Sequence, residues 1–323
     1  MQKIKTSKIN VKNKILISFA VLAAAVSLFI SAKDGWYEVY GFFGLSGNQS
    51  FSSPDSEGVS VHFIDVGQGD CTLVLTPERS ILIDSGERDY YSIVINYLKM
   101  QGVKELDYVI ASHPHSDHIG AMGDIINEFG ADFIIMPKVK DELIPTTSAF
   151  ERLLDSIENN EVNVIWAASG TVLDLGNNSR LEILAPFNDD EYDYDNLNNY
   201  SVVARFIYGN SSFLFTGDIE NAAENYLTDS GFDINADVLK VAHHGSRTSS
   251  SAKFLNMVGG EFAIIGVGSP NSYNHPNDEV LRRIEVRDYT VFRTDLNGNI
   301  VFDCVSGGLN VYVQREEPLY AYH

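Results

Sequence analysis

From residue 59 onward, short apolar runs alternate with stretches whose apolar positions recur every three or four residues, which predicts strands and helices following one another. Runs at 59–66 and 71–76 flank the turn Gly67-Gln68-Gly69-Asp70, and 81–84 adds a third strand. Residues 91–100 carry Ile93, Ile95, Tyr97 and Leu98 at helical spacing. A β-branched, apolar run at 106–111 predicts a buried strand, and Ile119, Met122, Ile125, Ile126 and Phe129 predict the helix after it. The alternation continues through 133–136, 150–157, 162–167 and 181–185, ahead of an acidic loop at 188–199 rich in Tyr and Asn. A second hairpin follows, 202–208 and 212–216 about Gly209-Asn210. After it the pattern gives a helix around 222–227, a strand at 238–241, a helix near 252–258, a strand at 262–267, a helix near 278–287 and closing strands at 291–294, 300–302 and 311–313. Two similar halves, each mixing sheet and helix, make an α/β domain over 59–323.

The N-terminus follows different rules. Lys3, Lys5, Lys8, Lys12 and Lys14 precede an uncharged stretch at 15–32, about the length that crosses a bilayer. The positive-inside bias places segment 1–14 in the cytoplasm and the C-terminal domain outside, as a single-pass membrane protein. Ser27, Ser31 and Ala32 offer small residues to a signal peptidase, so a cleaved, secreted form is the rival expectation; the length of the apolar stretch favours the anchor. Residues 33–58, rich in Gly, Ser, Asn and Pro toward their end, predict a flexible linker.

Charge sharpens that division. The whole chain carries 23 basic and 44 acidic residues, and the six Lys of residues 1–33 have no acid among them, leaving the body near −27. Such a body argues against unaided tight DNA binding, which needs clustered Lys and Arg, although Arg247, Lys253, Arg282, Arg283, Arg287 and Arg293 recur locally. Cys71 and Cys304 are expected as buried thiols; a disulfide is chemically permitted outside the cell but not favoured.

The chemistry concentrates in His113-Pro114-His115-Ser116-Asp117-His118, where three imidazoles and a carboxylate fall within six residues at a strand-to-helix turn. Alternate directions there let His113 and His115 hold one ion while Asp117 and His118 hold a second. Imidazole nitrogen and carboxylate oxygen suit zinc, manganese or iron better than calcium or magnesium. Asp218 closes an apolar strand after Gly217, placed either to bridge two cations or to cap the next helix. His243 and His244 follow the strand at 238–241, whose period of two predicts that only one of them points at the metals. His275, before Pro276 in a polar loop, is a candidate to orient a substrate oxygen or a ligand, whereas His62 and His323 carry no site role.

The HxHxDH run resembles the metallo-β-lactamase superfamily, and the surrounding motifs resemble the extracytoplasmic hydrolase domain of ComEC-type DNA-uptake proteins. Those motifs are Phe63-Ile64-Asp65-Val66-Gly67-Gln68-Gly69-Asp70, Ile83-Asp84-Ser85-Gly86, Phe215-Thr216-Gly217-Asp218, Lys240-Val241-Ala242-His243-His244-Gly245-Ser246 and Asn274-His275-Pro276. The resemblance covers about residues 59–315 and implies a four-layer αββα sandwich. It implies two divalent ions, zinc favoured and manganese the alternative, held by His113, His115, Asp117, His118, Asp218 and one of the His243–His244 pair, with His244 preferred. Asp218 would be the bridging ligand. The usual third histidine of the first metal site is absent, for the chain there reads Asn196-Leu197-Asn198-Asn199-Tyr200-Ser201. Asn198 or Asn199 could supply a weak carbonyl ligand, which makes the first ion looser.

Two ions sharing an activated water need no covalent nucleophile. Asp117, Asp218 and His275 are the expected catalytic residues, with Arg247 a second candidate near the leaving oxygen. The leading expectation is an extracytoplasmic phosphodiesterase, with DNA the substrate that the resemblance suggests. Hydrolysis of lactones, thioesters or β-lactams on the same metals is the first alternative, and a non-catalytic anchored binding module the second. One hydrophobic segment cannot form the multi-helix DNA channel of full ComEC-type proteins.

Overall fold

Residues 58–187, 194–305 and 308–315 are described by the structure, a computed structural model. The predicted basic segment and anchor at 1–32 and all but the last residue of the linker lie outside the described residues, as do 188–193 of the acidic loop. Among the described residues no helix is long and apolar enough to cross a membrane.

Strands β1 (Val59–Phe63), β2 (Thr72–Leu75) and β3 (Ser80–Ile83) form an antiparallel meander. Helix α1 (Tyr91–Met100) buries Val94, Ile95, Tyr97 and Leu98 on one face and ends at Gln101-Gly102. Strand β4 (Leu106–Ile110) then pairs parallel to β3. The predicted helix over 119–129 is in fact two, a single turn α2 (Ser116–Ile119) and α3 (Met122–Phe129), separated at Gly120-Ala121. Strand β5 (Ala131–Met136), helix α4 (Ser148–Asn159) and strand β6 (Asn163–Trp166) complete the parallel half of the first sheet.

The second sheet repeats this plan. Its meander is β7 (Val172–Gly176), β8 (Ser179–Ala185), β9 (Val203–Tyr208) and β10 (Ser211–Phe215). Helix α5 (Asn221–Asp229), β11 (Val238–Lys240), α6 (Ala252–Val258), β12 (Phe262–Ile265), α7 (Asp278–Glu285) and β13 (Thr290–Arg293) extend it in parallel. After the turn α8 (Thr294–Asn297), β14 (Ile300–Val305) and β15 (Gly308–Val313) return to the first sheet beside β1. The sheets run β15-β14-β1-β2-β3-β4-β5-β6 and β13-β12-β11-β10-β9-β8-β7.

Strand alternation sorts the core into layers. On β10, Phe213 and Phe215 face the other sheet while Leu214 faces the helices. Val59, Val61, Phe206, Phe213 and Phe302 fill the space between sheets, Leu98, Ile119, Ile125 and Leu153 pack helices on the first sheet, and Leu227, Phe254 and Ile284 pack helices on the second. The result is the expected αββα order. Burial of each large side chain contributes about 1.5–3 kcal/mol. Truncating fully buried Phe302 to Ala is expected to cost about 3–5 kcal/mol.

Cys71 lies in the helix-facing layer and Cys304 in the layer between the sheets, so both are buried free thiols. The strand β7 was not predicted. The cluster-bearing loops all leave the carboxyl ends of parallel strands β3, β4, β11 and β12 or of the adjoining β10, which gathers them at one edge of the sandwich.

Candidate metal centre

Asp84, at the end of β3, organises the turn that follows β4. Its carboxylate accepts hydrogen bonds from the Ser112 backbone N–H (2.8 Å), the Ser112 hydroxyl (2.7 Å) and His118 Nδ1 (2.8 Å). That fixes the tautomer of His118, with Nδ1 donating and Nε2 turned inward. His118 Nε2 lies 3.3 Å from Asp218 Oδ1, and both atoms are buried without a hydrogen-bond partner.

Asp218 follows Gly217, whose φ of +49° makes the turn off β10, and its backbone N–H donates to the Ser201 hydroxyl. It does not cap α5: Glu220 holds that position, and no side chain caps the helix. His244 is set from outside by Nδ1, 2.8 Å from the Gly266 carbonyl, while its Nε2 lies 3.2 Å from Asp117 Oδ2 and 3.6 Å from Asp218 Oδ2. One ligand atom from each of Asp117, His118, Asp218 and His244 falls within 4.8 Å of the others.

Beside this group lies a looser one. His113 Nε2 sits 2.9 Å from His115 Nδ1 and 3.9 Å from Asp218 Oδ2. His243 Nε2 sits 3.7 Å from the same oxygen. The expectation that only one of His243 and His244 can face the cluster is therefore corrected. The alternation of a strand stops at β11, and both residues take positive φ, +51° and +53°, which turns both rings toward Asp218. Asn199 Oδ1 accepts from the Glu220 backbone N–H, whereas Asn198 Oδ1 is buried without a partner and its amide nitrogen is 3.5 Å from His243 Nδ1. Between the two predicted asparagines, the orphaned carbonyl is thus that of Asn198.

A second layer of charge lies beneath. Lys240, buried at the end of β11, donates to Asp70 Oδ2 at 2.6 Å and to the Val241 carbonyl at 3.0 Å. Asp70 Oδ1 faces His244 Nδ1 at 3.3 Å. The motif glycines make room for this. A Cβ on Gly266 would collide with Asp70, and one on Gly69 would collide with the Asp117 carbonyl. Asp84, Asp70, Lys240 and Gly266 were not named as site residues from the sequence. The usable signal for Asp84 was an acid closing an apolar strand beside the one that bears the histidines.

The electrostatics favour a cation. Burial alone would lower the pKa of His118, yet Asp218, Asp84 and Asp117 hold it well above the ordinary value. Burial likewise opposes His244, but Asp218 and Asp70 raise it to about 10. Burial would raise Asp218 and Asp117; the neighbouring imidazoles His118 and His244 hold both carboxyls below their usual range. Burial, with His118 nearby, lowers His113 well below its ordinary value, and burial lowers His115, so both rings are neutral. Nitrogen and oxygen acceptors packed around unpartnered Asp218 Oδ1 and His118 Nε2 fit a divalent transition ion.

His275 stands at the edge. Its ring centroid is 5.6 Å from that of His243 and 6.5 Å from that of His244, Tyr273 stacks on it at 5.7 Å, and Nδ1 is buried without a partner. The basic patch is largely spent: Arg283 donates to the Ser249 and Ser250 carbonyls, Arg287 to Asn256 and the Arg283 carbonyl, Lys253 pairs with Asp229 and Arg293 with Asp295.

Residues 64–268 match the model of the metallo-beta-lactamase superfamily. Curated relatives include ComE operon protein 3 of Bacillus subtilis, 31% identical over 76% of this chain and 33% of that protein, and competence protein ComA of Neisseria gonorrhoeae, 31% identical over 83% of this chain and 35% of that protein. Recombination protein 2 of Haemophilus influenzae is 28% identical over 81% of this chain and 31% of its own length. The chain thus spans about a third of the length of the curated relatives it matches. Among solved structures, the metallo-beta-lactamase fold protein YhfI of Bacillus subtilis superposes with a TM-score of 0.50 at 15% identity, covering 76% of this chain and 99% of that one. The metallo hydrolase Igni18 of Ignicoccus hospitalis gives 0.50 at 15% identity over 75% and 98%. Both likenesses concern the fold alone.

Proposed function

Because the chain belongs to the metallo-beta-lactamase superfamily, we propose that it is a metal-dependent phosphodiesterase whose substrate is nucleic acid. The observation that carries the reading is the buried, unpartnered pair His118 Nε2 and Asp218 Oδ1 at the centre of a four-residue ligand set. The competence and recombination names of the relatives favour nucleic acid over other esters. The predicted anchor at 15–32 would carry the domain outside the membrane.

Bound divalent cations supply Lewis acidity to a phosphoryl oxygen and lower the pKa of water at the reacting phosphorus. Zinc is favoured by the imidazole content and manganese is the alternative. The chain's residues do the rest. Asp117, His118, Asp218 and His244 would hold one cation and His113, His115 and His243 the other, while Asp84 and the Gly266 carbonyl fix the rings of His118 and His244. Burial, then His243 and His244, lower the pKa of His275 to about 4, so at neutral pH it is a neutral imidazole that orients a substrate oxygen by hydrogen bonding.

The test measures hydrolysis of bis-p-nitrophenyl phosphate, single-stranded DNA, duplex DNA and a chromogenic lactone by the full chain and by Asp218→Ala. Metal-dependent phosphodiester cleavage lost in the variant supports the proposal. Turnover of the lactone alone assigns the site to carbonyl hydrolysis, and no turnover with any substrate contradicts an enzymatic role.

A further inference from the structure

An apolar pocket of about 300 Å³ opens beside the metal cluster and shares a wall with it through His113 and Pro114. Ile119 and Phe150 lie deeper in its lining, and Trp166 stands at its edge on β6 with 56% of its surface exposed. Nothing in the reaction chemistry requires an apolar cavity there. Lys138 and Asp141, both exposed, are the charged groups of the lining, and among the described residues no ion pair ties the Lys138 ammonium.

We propose that this pocket is a base-stacking subsite, holding the nucleobase next to the scissile phosphate of a single-stranded nucleic acid. The inference rests on the phosphodiesterase reading and names how that site selects its substrate. Size comes first: a dry cavity of about 150 Å³ holds one benzene ring, so twice that volume accommodates a purine. An exposed indole offers a stacking face, and stacking of this kind tolerates any base because each has a π surface. Lys138 matches the charge of a flanking phosphate, and the Asp141 carboxylate can accept from an exocyclic amino group. The shared His113 wall keeps base and reacting phosphate within one nucleotide of each other. A fatty acyl chain would use the apolar lining but leave Trp166 and Lys138 without purpose.

The chain has two tryptophans, Trp36 and Trp166, so full-length protein carrying Trp36→Phe reports on the pocket alone. With EDTA present to prevent turnover, a (dA)6 oligonucleotide is expected to quench its fluorescence, and an abasic hexamer of the same charge to bind about tenfold more weakly. Calorimetry with Trp166→Ala and with Lys138→Glu, both at exposed positions, is expected to show a similar loss for (dA)6. Equal affinity for the abasic hexamer, unchanged affinity in Trp166→Ala, or quenching by decanoate but not by (dA)6 would each overturn the subsite. Binding in EDTA is independent of catalysis. Base-dependent binding without hydrolysis of bis-p-nitrophenyl phosphate or DNA defeats the phosphodiesterase reading and leaves the subsite standing; hydrolysis without base-dependent binding does the reverse.

Discussion

Two histidines of this chain are equally inaccessible and yet opposite in character. His62, on the helix side of β1, is 1% exposed and held by neutral partners, the Ser60 hydroxyl at 2.7 Å and the Tyr97 hydroxyl at 2.8 Å. Burial lowers its pKa to about 3. His118 is 0% exposed but ringed by Asp84, Asp218 and Asp117, which override burial and hold its pKa well above the ordinary value. The first pocket has matched each ring nitrogen with a hydroxyl and has no use for a cation. The second sets His118 Nε2 3.3 Å from Asp218 Oδ1 among three carboxylates, an arrangement that demands positive charge, a proton on the ring in the free protein or a metal ion in its place. What marks the candidate metal centre is therefore the excess of carboxylates around the imidazole.

The sharpest way to break the contrast is to unbalance the charge beneath the cluster. Burial would raise the Asp70 pKa, and Lys240 first, then His244, hold it below the usual range. Lys240→Met leaves that carboxylate buried without its ammonium and is expected to cost about 3–5 kcal/mol in denaturant unfolding. Next comes pH. The folded pKa of His62 lies below its unfolded value, so its neutral form contributes stability that is complete above about pH 6.5 and is lost as pH falls toward 3. Between pH 7 and pH 4 the chain should lose about 3 kcal/mol through this group, a slope that His62→Gln removes. Asp84→Asn makes the His118 pocket more like that of His62. It should weaken divalent-ion affinity by roughly 10–100-fold in calorimetric titration. The smallest effect belongs to Tyr97→Phe, which deletes one hydrogen bond to His62 and should shift unfolding by about 1 kcal/mol without changing metal affinity.

Much of this was legible in the chain because periodicity and burial agree. The helices at Tyr91–Met100 and Ala252–Val258 fall where their apolar spacing puts them. The strand Val172–Gly176 was missed because it is a half-exposed edge with a bulge between Asp174 and Gly176, which erases the period-two signal. The histidine run pointed to a candidate metal cluster by residue type alone. Its support could not be seen that way: Asp84, Asp70 and Lys240 reach the cluster from three separate strands or loops, a convergence that only the sheet order creates. The strand rule failed at His243 and His244 because it was extended past the last hydrogen-bonded residue of β11, into left-handed backbone. Glu220 as the cap of α5 likewise released Asp218 for the cluster, which a linear motif leaves ambiguous.

The most direct test is titration of Zn²⁺ and Mn²⁺ into chelator-treated full-length chain, alongside Asp218→Ala and His62→Gln. Saturable divalent-ion binding is expected for the unaltered chain, with loss in Asp218→Ala and retention in His62→Gln. Undiminished binding in Asp218→Ala, or none in the unaltered chain, would overturn the metal assignment.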